Sequence, residues 1–282
     1  MTPPVGDGTF ARWLATRAGE ELLTLRDHRG YEDPAALRDA GDKRSHDLLV
    51  TALAQGRPGD AVLSEEAVRD DVAARQAAER VWIIDPLDGT REFGEPDRTD
   101  WAVHVALWSR SAASGRGTTE PVGRRLAGGA VGLEAGAVAL PAQHRVLATD
   151  QPPGYPPLVD PGGSGAALRL AVSRTRAPGW LAAVAAEVGA ELVPMGSAGA
   201  KIAAVVTGEV DAYLHAGGQY EWDSAAPVAV ALATGLHASR IDGSTLEYNQ
   251  PDPRLPDLLV CRQDLAQRLL AAVARHVQEK TS

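Results

Sequence analysis

The segment Val81–Thr90 has the sequence Val-Trp-Ile-Ile-Asp-Pro-Leu-Asp-Gly-Thr, and its first four residues form an unbroken apolar run. A short continuous apolar run of this kind is typical of a strand buried on both faces. Asp85 and Asp88 follow the run and are separated by one proline and one leucine. Gly89 and Thr90 come next and can open a short helix. The segment therefore predicts a buried strand that delivers two carboxylates to its carboxyl end.

Two other acidic positions lie where predicted elements end or begin. Glu65 follows the short apolar strand Ala61–Ser64, and Asp223 stands at the expected N-cap of a helix over Asp223–Ala233. Oxygen ligands from several elements are what Mg²⁺ requires, with water and substrate phosphate completing its octahedron. Because the rigid proline turns the chain after Asp85, the carbonyl of Leu87 can point at the same centre.

These residues together predict a site for a pair of metal ions. Such a pair would neutralise a phosphate, lower the pKa of a bound water and stabilise the leaving oxygen. Gly89 would let the backbone approach the phosphate, and helix N–H groups beginning there would point at it. The predicted ligands are Glu65, Asp85, the Leu87 carbonyl, Asp88 and Asp223.

Each acidic feature also has a simpler interpretation. An Asp-Gly-Thr segment is often only a turn with a helix cap, a Glu-Glu pair is often a solvated turn, and Asp223 alone is an N-cap. Their joint occurrence in this order, each at the end of an apolar run, favours the metal site. The Asp-x-Asp-Gly-Thr motif of haloacid-dehalogenase phosphatases does not fit, because two residues rather than one separate Asp85 from Asp88.

The flanking sequence predicts two halves, residues 1–155 and 156–282, joined through a Pro/Gly-rich boundary at residues 152–163. The first half is expected to be α+β with antiparallel strands. Its expected elements are a helix near Ser45–Ala54, a half-buried strand over Trp101–Trp108, a loop over Ser109–Arg125 and a hairpin over Ala130–Leu147 that turns near Glu134–Gly136.

The second half alternates strands with helices, which indicates an α/β layer arrangement. The expected strands are Leu168–Val172, Glu191–Val193 and Val210–Leu214, and the expected helices are Trp180–Val188, Ser197–Val206 and Asp223–Ala233.

The composition, charge and apolar runs of the chain exclude several classes of function. The 282 residues carry a formal net charge of −9 and one cysteine, so non-specific binding to nucleic acid or an anionic membrane is not expected, and a disulfide or cysteine zinc site is excluded. No apolar run approaches the roughly 20 residues that span a bilayer, and the first residues lack signal-peptide features. We therefore expect a cytoplasmic protein with a small phosphorylated substrate, whose negative charge would be repelled unless metal ions reverse the local sign.

Three segments carry a resemblance to a known family. Trp82–Phe93 closely resembles the first signature of the inositol monophosphatase superfamily, Glu221–Ala226 resembles its second signature, and Leu63–Glu66 resembles its Glu-Glu metal motif. The resemblance implies a layered α-β-α-β-α sandwich, dependence on two or three Mg²⁺ ions, inhibition by Li⁺ and a homodimer. A non-catalytic phosphate sensor on the same scaffold is disfavoured, because every expected carboxylate is present.

The resemblance also implies roles for individual residues. Glu65, Asp85, the Leu87 carbonyl and Asp88 would be metal ligands, with Asp223 on the second metal. Thr90 and Glu65 would orient the attacking water. Asp42 matches a family aspartate that supports the threonine and a further metal, and Asp47 is the competing choice. A helix cap is an equally simple interpretation of Asp42.

Other segments point to a branch of the superfamily. Thr90–Phe93 is similar to the Thr-Lys-Glu-Phe of CysQ-type 3'(2'),5'-bisphosphate nucleotidases, and Gly196–Lys201 to their Gly-Ser-Ser-x-Lys segment. Ser173–Arg176 resembles their Ser-Arg-Ser-His loop, with Arg176 in place of the histidine. His215 stands where inositol phosphatases typically carry a glutamate that grips substrate hydroxyls.

The resemblance therefore implies removal of the 3'-phosphate from 3'-phosphoadenosine 5'-phosphate, giving AMP, in sulfate assimilation. Inositol-1-monophosphatase or fructose-1,6-bisphosphatase activity is the alternative. Lys201 would meet a second phosphate, although a solvated helix lysine is an equally simple interpretation. The expected substrate contacts are Asp88, Gly89, Thr90, Ser173, Arg174, Ser197, Lys201 and Asp223.

Overall fold

The computed structural model describes residues 3–67, 72–113, 132–156 and 167–278. The helices are α1 (Asp7–Arg29), α2 (Pro34–Gly56), α3 (Val72–Ala77), α4 (Thr90–Phe93), α5 (Arg110–Ala113), α6 (Leu181–Val188), α7 (Ala198–Val206), α8 (Glu221–Thr234) and α9 (Ala266–Gln278). The strands are β1 (Ala61–Ser64), β2 (Arg80–Asp88), β3 (Ala102–Ser109), β4 (Leu133–Leu140), β5 (Arg145–Ala148), β6 (Leu168–Ser173), β7 (Ala190–Met195), β8 (Ala212–Ala216), β9 (His237–Ser239) and β10 (Asp257–Cys261).

The first sheet has the order β1-β2-β3-β4-β5, with β1 and β2 parallel and the other neighbours antiparallel. As predicted, β2 is buried on both faces. Trp82 and Ile84 pack with α1 and α2 in one apolar cluster, whereas Val81 and Ile83 join a second cluster with α7 and α8. The central strand is thus covered by helices on either side.

Two predictions for the first sheet were wrong. Strand β3 is buried on both faces rather than half-buried, because its small residues Ala102 and Ala106 belong to the cluster that contains α7 and α8. The expected turn at Glu134–Gly136 lies inside β4, and the chain reverses later, at Pro141–Gln143. Gly136 serves close packing instead of a turn, since a Cβ there would lie 2.7 Å from the Cβ of Ala229 in α8.

The second sheet has the order β7-β6-β8-β10-β9. Strands β7, β6 and β8 are parallel, as strands joined by crossover helices must be, and β10 runs antiparallel to β8 and β9. Helices α6 and α9 cover its outer face, and α7 and α8 lie between the two sheets. The layers therefore follow the expected α-β-α-β-α order.

Helix α2 begins eleven residues before the predicted start at Ser45, because the residues that start the helix lie upstream. Asp33 caps the helix by accepting from the N–H of Ala36, and Pro34 occupies its first turn.

The predicted boundary near residue 155 falls between β5 and β6. The two halves share the cluster around α8, and their division into domains stays a prediction.

Of the expected loop Ser109–Arg125, Ser109 ends β3 and residues 110–113 form α5. Residues 114–125 lie outside the described part of the chain, as do residues 157–163 of the expected boundary segment. Among the helices described here, none has the length and apolar character needed to cross a membrane.

Candidate active site

The end of strand β2 is bent by a bulge. Asp85 pairs with His104 and Asp88 pairs with Ala102, so Pro86 and Leu87 together lie opposite the single residue between them on β3. Asp85 Oδ1 accepts the N–H of Leu87 at 3.0 Å and holds this turn. A bulge re-aims the following side chain, which explains how two carboxylates three positions apart reach one centre. Gly89 then adopts a φ of 84°, a left-handed conformation that favours glycine, and α4 begins.

Three carboxylates meet at this bulge. Carboxylate oxygens of Asp85, Asp88 and Asp223 all lie within 4.8 Å of one another. Asp223 comes from the first turn of α8, where its Oδ2 accepts the N–H of Tyr220 at 2.7 Å. The prediction that Asp223 is the N-cap was wrong: Tyr220 takes that position, and Asp223 stands three residues further on. Its side chain therefore both closes the helix start and faces the other two acids.

The buried, mutually repelling carboxylates of this cluster favour the binding of a cation. Burial, followed by repulsion from Glu65 and Asp88, raises the pKa of Asp85 well above its ordinary value. Burial, followed by repulsion from Asp88, raises the pKa of Asp223. Burial, followed by repulsion from Asp223 and Asp88, likewise raises the pKa of Glu65. Buried acids that repel one another are stabilised in their charged form by a divalent ion, and an all-oxygen donor set suits Mg²⁺. The residues present thus fit the metal that the sequence predicts.

Thr90 lies between α2 and the Asp85–Asp88 segment at the end of β2. Its hydroxyl oxygen is 3.0 Å from the carbonyl oxygen of Leu87 and 3.4 Å from Asp42 Oδ1. Burial and then repulsion from Glu66 raise the pKa of Asp42 to about 7. Asp47, the competing choice, lies on the exposed side of α2 and pairs with Lys43 at 2.8 Å. The geometry brings Asp42, and not Asp47, to the threonine.

His104 is a site residue that the sequence analysis missed. Its Nδ1 lies 3.0 Å from the carbonyl oxygen of Trp222, and its Nε2 lies 3.3 Å from Asp88 Oδ2. Burial lowers the pKa of the imidazole. Asp88 Oδ2 also accepts the N–H of Gly199 at 2.6 Å, so β3 and α7 both hold this carboxylate. A histidine within an otherwise apolar strand next to the motif was the available signal.

A cavity of about 520 Å³ opens above the three acids. Glu65 lines it together with the acids, and so do the segment from Leu87 to Thr90 and the predicted contacts from the second half of the chain. The lining residues from the second half of the chain are Ser173, Arg174, Thr175, Arg176, Met195, Gly196, Ser197, Ala198, Lys201, Tyr213, His215, Gln219 and Asp223. The structure therefore brings every predicted substrate contact to one cavity. Asp42 does not line this cavity but lies beside Thr90.

Arg174, Lys201 and Ser197 also have partners within the protein. Arg174 forms ion pairs with Glu92 at 2.6 Å and Glu95 at 3.1 Å. Lys201 is only 3% exposed, and its ammonium donates to the carbonyls of Gly196 and Ser197. The interpretation of Lys201 as a solvated helix lysine was therefore wrong. Ser197 caps α7, its Oγ accepting the N–H of Ala200 at 2.8 Å.

A buried network holds the start of α8, which carries Asp223. Glu221 is 1% exposed and accepts the N–H groups of Asn249 and Gln250 at 2.6 and 2.7 Å. Arg75 of α3 donates to Asn249 Oδ1 at 2.5 Å and to the Gln250 carbonyl at 2.9 Å. Because charged hydrogen bonds of buried groups are strong, this network fixes the first turn of α8.

Comparison with known proteins agrees with this architecture. The chain is 52% identical to the 3'-phosphoadenosine 5'-phosphate phosphatase of Mycobacterium leprae over 95% of its own length and 93% of that protein. It is 27% identical to the 3'(2'),5'-bisphosphate nucleotidase CysQ of Escherichia coli K12 over 83% of its length and 91% of that protein.

Solved structures share the fold. Inositol monophosphatase II from Staphylococcus aureus superposes with a TM-score of 0.72 at 20% identity, covering 96% of this chain and 95% of that one. CysQ from Bacteroides thetaiotaomicron superposes with a TM-score of 0.66 at 24% identity, covering 90% and 96%. A model of the inositol monophosphatase family matches residues 9–281. This chain, with its acid cluster at the end of β2, belongs to the inositol monophosphatase family.

Proposed function

We propose that this phosphatase removes the 3'-phosphate of 3'-phosphoadenosine 5'-phosphate and releases AMP. The observation that carries the proposal is the cluster of Asp85, Asp88 and Asp223 beneath a cavity of about 520 Å³, in a chain 52% identical to a phosphatase of that name. The activity would clear a by-product of sulfate assimilation.

The proposed roles follow the position of each group. Asp85, Asp88, Asp223, Glu65 and the Leu87 carbonyl would hold magnesium. The bound metal supplies charge for the phosphate, a lowered pKa for the attacking water and stabilisation of the leaving oxygen. These acids are aimed at one point by rigid elements, so little reorganisation is needed when the substrate arrives.

Thr90 and Glu65 would orient the water for attack in line with the departing 3'-oxygen. Asp42, at 3.4 Å from the threonine hydroxyl, would fix the direction of that hydroxyl. Without a bound metal, the pKa of Asp42 is raised to about 7 and that of Glu65 to about 8, and Glu65 would release its proton when it binds magnesium. Water attacks the phosphorus directly in this proposal, and no covalent enzyme intermediate forms.

The residue at the inositol-specific position supports a nucleotide over inositol. His215 lines the cavity, and burial lowers its pKa to about 4, so the ring is neutral at pH 7. Its Nε2 lies 2.7 Å from the carbonyl oxygen of Gly217. A neutral imidazole that is hydrogen-bonded to the backbone cannot replace a carboxylate that accepts hydrogen bonds from sugar hydroxyls. This contact speaks against inositol monophosphate as the preferred substrate.

The test is a parallel measurement of kcat/KM with 3'-phosphoadenosine 5'-phosphate, inositol 1-phosphate and fructose 1,6-bisphosphate at saturating Mg²⁺. We expect the nucleotide to give the highest value. A value for inositol phosphate or fructose bisphosphate that equals or exceeds it would refute the proposal.

We further propose that magnesium is the working ion, that Li⁺ inhibits, and that the protein is a cytoplasmic homodimer. Phosphate release with and without Mg²⁺ and Li⁺ tests the first two. Light scattering after size exclusion tests the oligomeric state, and fractionation of cells tests the compartment.

A further inference from the structure

The cavity above the acid cluster is lined by four basic side chains among the residues that the structure describes: Arg91, Arg174, Arg176 and Lys201. A nucleoside bisphosphate brings two phosphates to this cavity. The acid cluster and its metal serve the phosphate that reacts, so the second phosphate needs a cation of its own. Which of the four can supply that charge depends on what each already binds.

Two of the four are engaged within the protein. Arg174 pairs with both Glu92 and Glu95, so its charge is already balanced. The ammonium of Lys201 is buried and donates to the carbonyl oxygens of Gly196 and Ser197. Burial also lowers its pKa to about 8. A phosphate would have to displace existing partners at either position.

Arg176 is not engaged in this way. Its backbone N–H donates to Ser173 Oγ at 3.1 Å, which fixes the loop after β6, but its guanidinium makes no hydrogen bond or ion pair with any residue in the described ranges. The side chain is exposed at the cavity rim beside Gly218, where an added Cβ would lie 3.9 Å from Arg176 Nη1. The absence of a side chain at Gly218 leaves that side of the guanidinium open.

Arg91 is exposed at the rim as well and has no ion-pair partner within 4.0 Å among the described residues. It contributes to lowering the pKa of Glu95, a carboxylate that does not line the cavity. Arg176 instead lies in the loop after β6, and its Nη1 comes close to Gly218, the neighbour of the cavity-lining residue Gln219. Of the two arginines, Arg176 is the one that faces the site.

We propose that Arg176 binds the second, 5'-phosphate of the substrate and thereby sets a preference for nucleoside 3',5'-bisphosphates over nucleoside 3'-monophosphates. The inference rests on the proposed function, since it names the residue that selects the substrate class at the same site. An arginine is suited to the role because its planar guanidinium binds phosphate through two parallel hydrogen bonds.

The experiment measures kcat/KM of the wild type and of the variants Arg176→Gln, Arg176→Lys and Arg91→Gln on two substrates. The substrates are adenosine 3',5'-bisphosphate and adenosine 3'-monophosphate, which differ only in the 5'-phosphate. For the bisphosphate we expect Arg176→Gln to lower kcat/KM about 10- to 100-fold, mainly through KM, because a charged hydrogen-bonded contact is lost. For the monophosphate we expect no change, since the group that Arg176 binds is missing.

Arg176→Lys should recover part of the loss, because the charge returns without the two-pronged geometry. Arg91→Gln is the matched control, an arginine on the same cavity rim, and should leave both substrates unaffected. Thermal unfolding of each variant checks that the exposed substitutions leave the fold intact.

The inference is overturned by any of three results: Arg176→Gln keeps the preference for the bisphosphate, it lowers kcat/KM equally on both substrates, or Arg91→Gln has the same effect. These results are distinct from failure of the proposed function. That failure would show in the wild type alone, as a kcat/KM for inositol 1-phosphate or fructose 1,6-bisphosphate that matches or exceeds the value for the bisphosphate nucleotide.

Discussion

The guanidinium of Arg174 lies 2.6 Å from Glu92 Oε1 and joins two segments that are 82 residues apart in the chain. Glu92 belongs to α4, the short helix that directly follows the metal-binding bulge, and Arg174 follows β6 on the opposite wall of the cavity. The ion pair therefore sets the spacing between the proposed catalytic segment and the wall that faces the substrate. The sequence predicted Arg174 as a substrate contact, and the structure shows that Arg174 also forms an ion pair between two walls of the cavity.

Removing the charge of Glu92 should destabilise the protein more than removing the charge of Glu95. Arg174 binds both acids, but the side chain of Glu92 is 8% exposed and that of Glu95 is 37% exposed. We expect Glu92→Gln to lower the free energy of unfolding by about 1–3 kcal/mol and Glu95→Gln by less than about 1 kcal/mol. Urea unfolding of the two variants measures this, and equal losses would contradict the assignment of Glu92 as the principal partner.

Asp88→Asn should nearly abolish turnover while the fold persists. Asp88 is one of the three clustered acids, and loss of a residue that merely supports a metal ligand already costs about 10- to 100-fold. We therefore expect kcat/KM to fall by more than about 100-fold and the stabilisation by added Mg²⁺ to shrink. The amide oxygen of asparagine can still accept from Gly199, so the fold should remain.

Asp47→Asn is the matched control for Asp88→Asn. It removes an exposed carboxylate of α2 that pairs only with Lys43 at the surface. Activity and the response to Mg²⁺ should stay at the wild-type level. If Asp88→Asn kept full activity, or if Asp47→Asn lost it, the proposed metal site would be wrong.

The features that sequence predicts best here are those carried by neighbouring residues. The apolar run of β2 and the acids after it are adjacent in the chain, so the strand and the pair of acids could be predicted together, whereas the bulge between the acids was expected only as a turn at Pro86. Contacts between distant segments could not be predicted in this way. Nothing near Gly199 in the sequence shows that its N–H binds Asp88, 111 positions earlier in the chain. The histidine at position 104 stands out in an apolar strand, but the sequence does not identify Asp88 as its partner.

The error at β3 has a similar origin. Its large residues Val103, Val105 and Leu107 face α1 and α2, and the alanines between them suggested an exposed face. Those alanines instead give room for the helices between the sheets. A small residue marks either solvent or close packing, and the sequence pattern alone does not distinguish the two.

The metal-free protein should lose stability as the pH rises from about 6.5 to about 8. Burial raises the pKa of Asp42 and of Glu221 to about 7, and the pKa values of Asp85 and Asp223 move in the same direction. In this range the folded state keeps protons that the unfolded state has already released, so the free energy of unfolding falls with rising pH. Each such group can contribute up to about 1.4 kcal/mol per pH unit.

Groups shifted in the opposite direction act outside this range. The pKa values of His104, His215 and His237 are lowered by burial, so these groups make stability rise with pH only below their ordinary value of 6.5. Lys201, with its pKa lowered to about 8, acts in the same sense above that pH. Urea unfolding in EDTA checks the expected fall, and a rise in stability over pH 6.5 to about 8 would contradict it. Saturating Mg²⁺ should reduce the slope, because metal ligands bind in their ionised form.

Gly199→Ala should disturb the acid cluster through His104. A Cβ on Gly199 would overlap the Nε2 end of the buried His104 ring, the same end that lies 3.3 Å from Asp88 Oδ2. The ring has no room to retreat, since its other nitrogen is held by the Trp222 carbonyl at 3.0 Å. We expect a loss of about 1–3 kcal/mol in the free energy of unfolding, as for overpacking of a core, together with weaker binding of Mg²⁺. Gly59→Ala is the control, because a Cβ there meets nothing within 4 Å. Calorimetric titration with Mg²⁺ and urea unfolding of both variants test the prediction, and a Gly199→Ala protein with wild-type stability and metal affinity would show that His104 and α7 do not position Asp88.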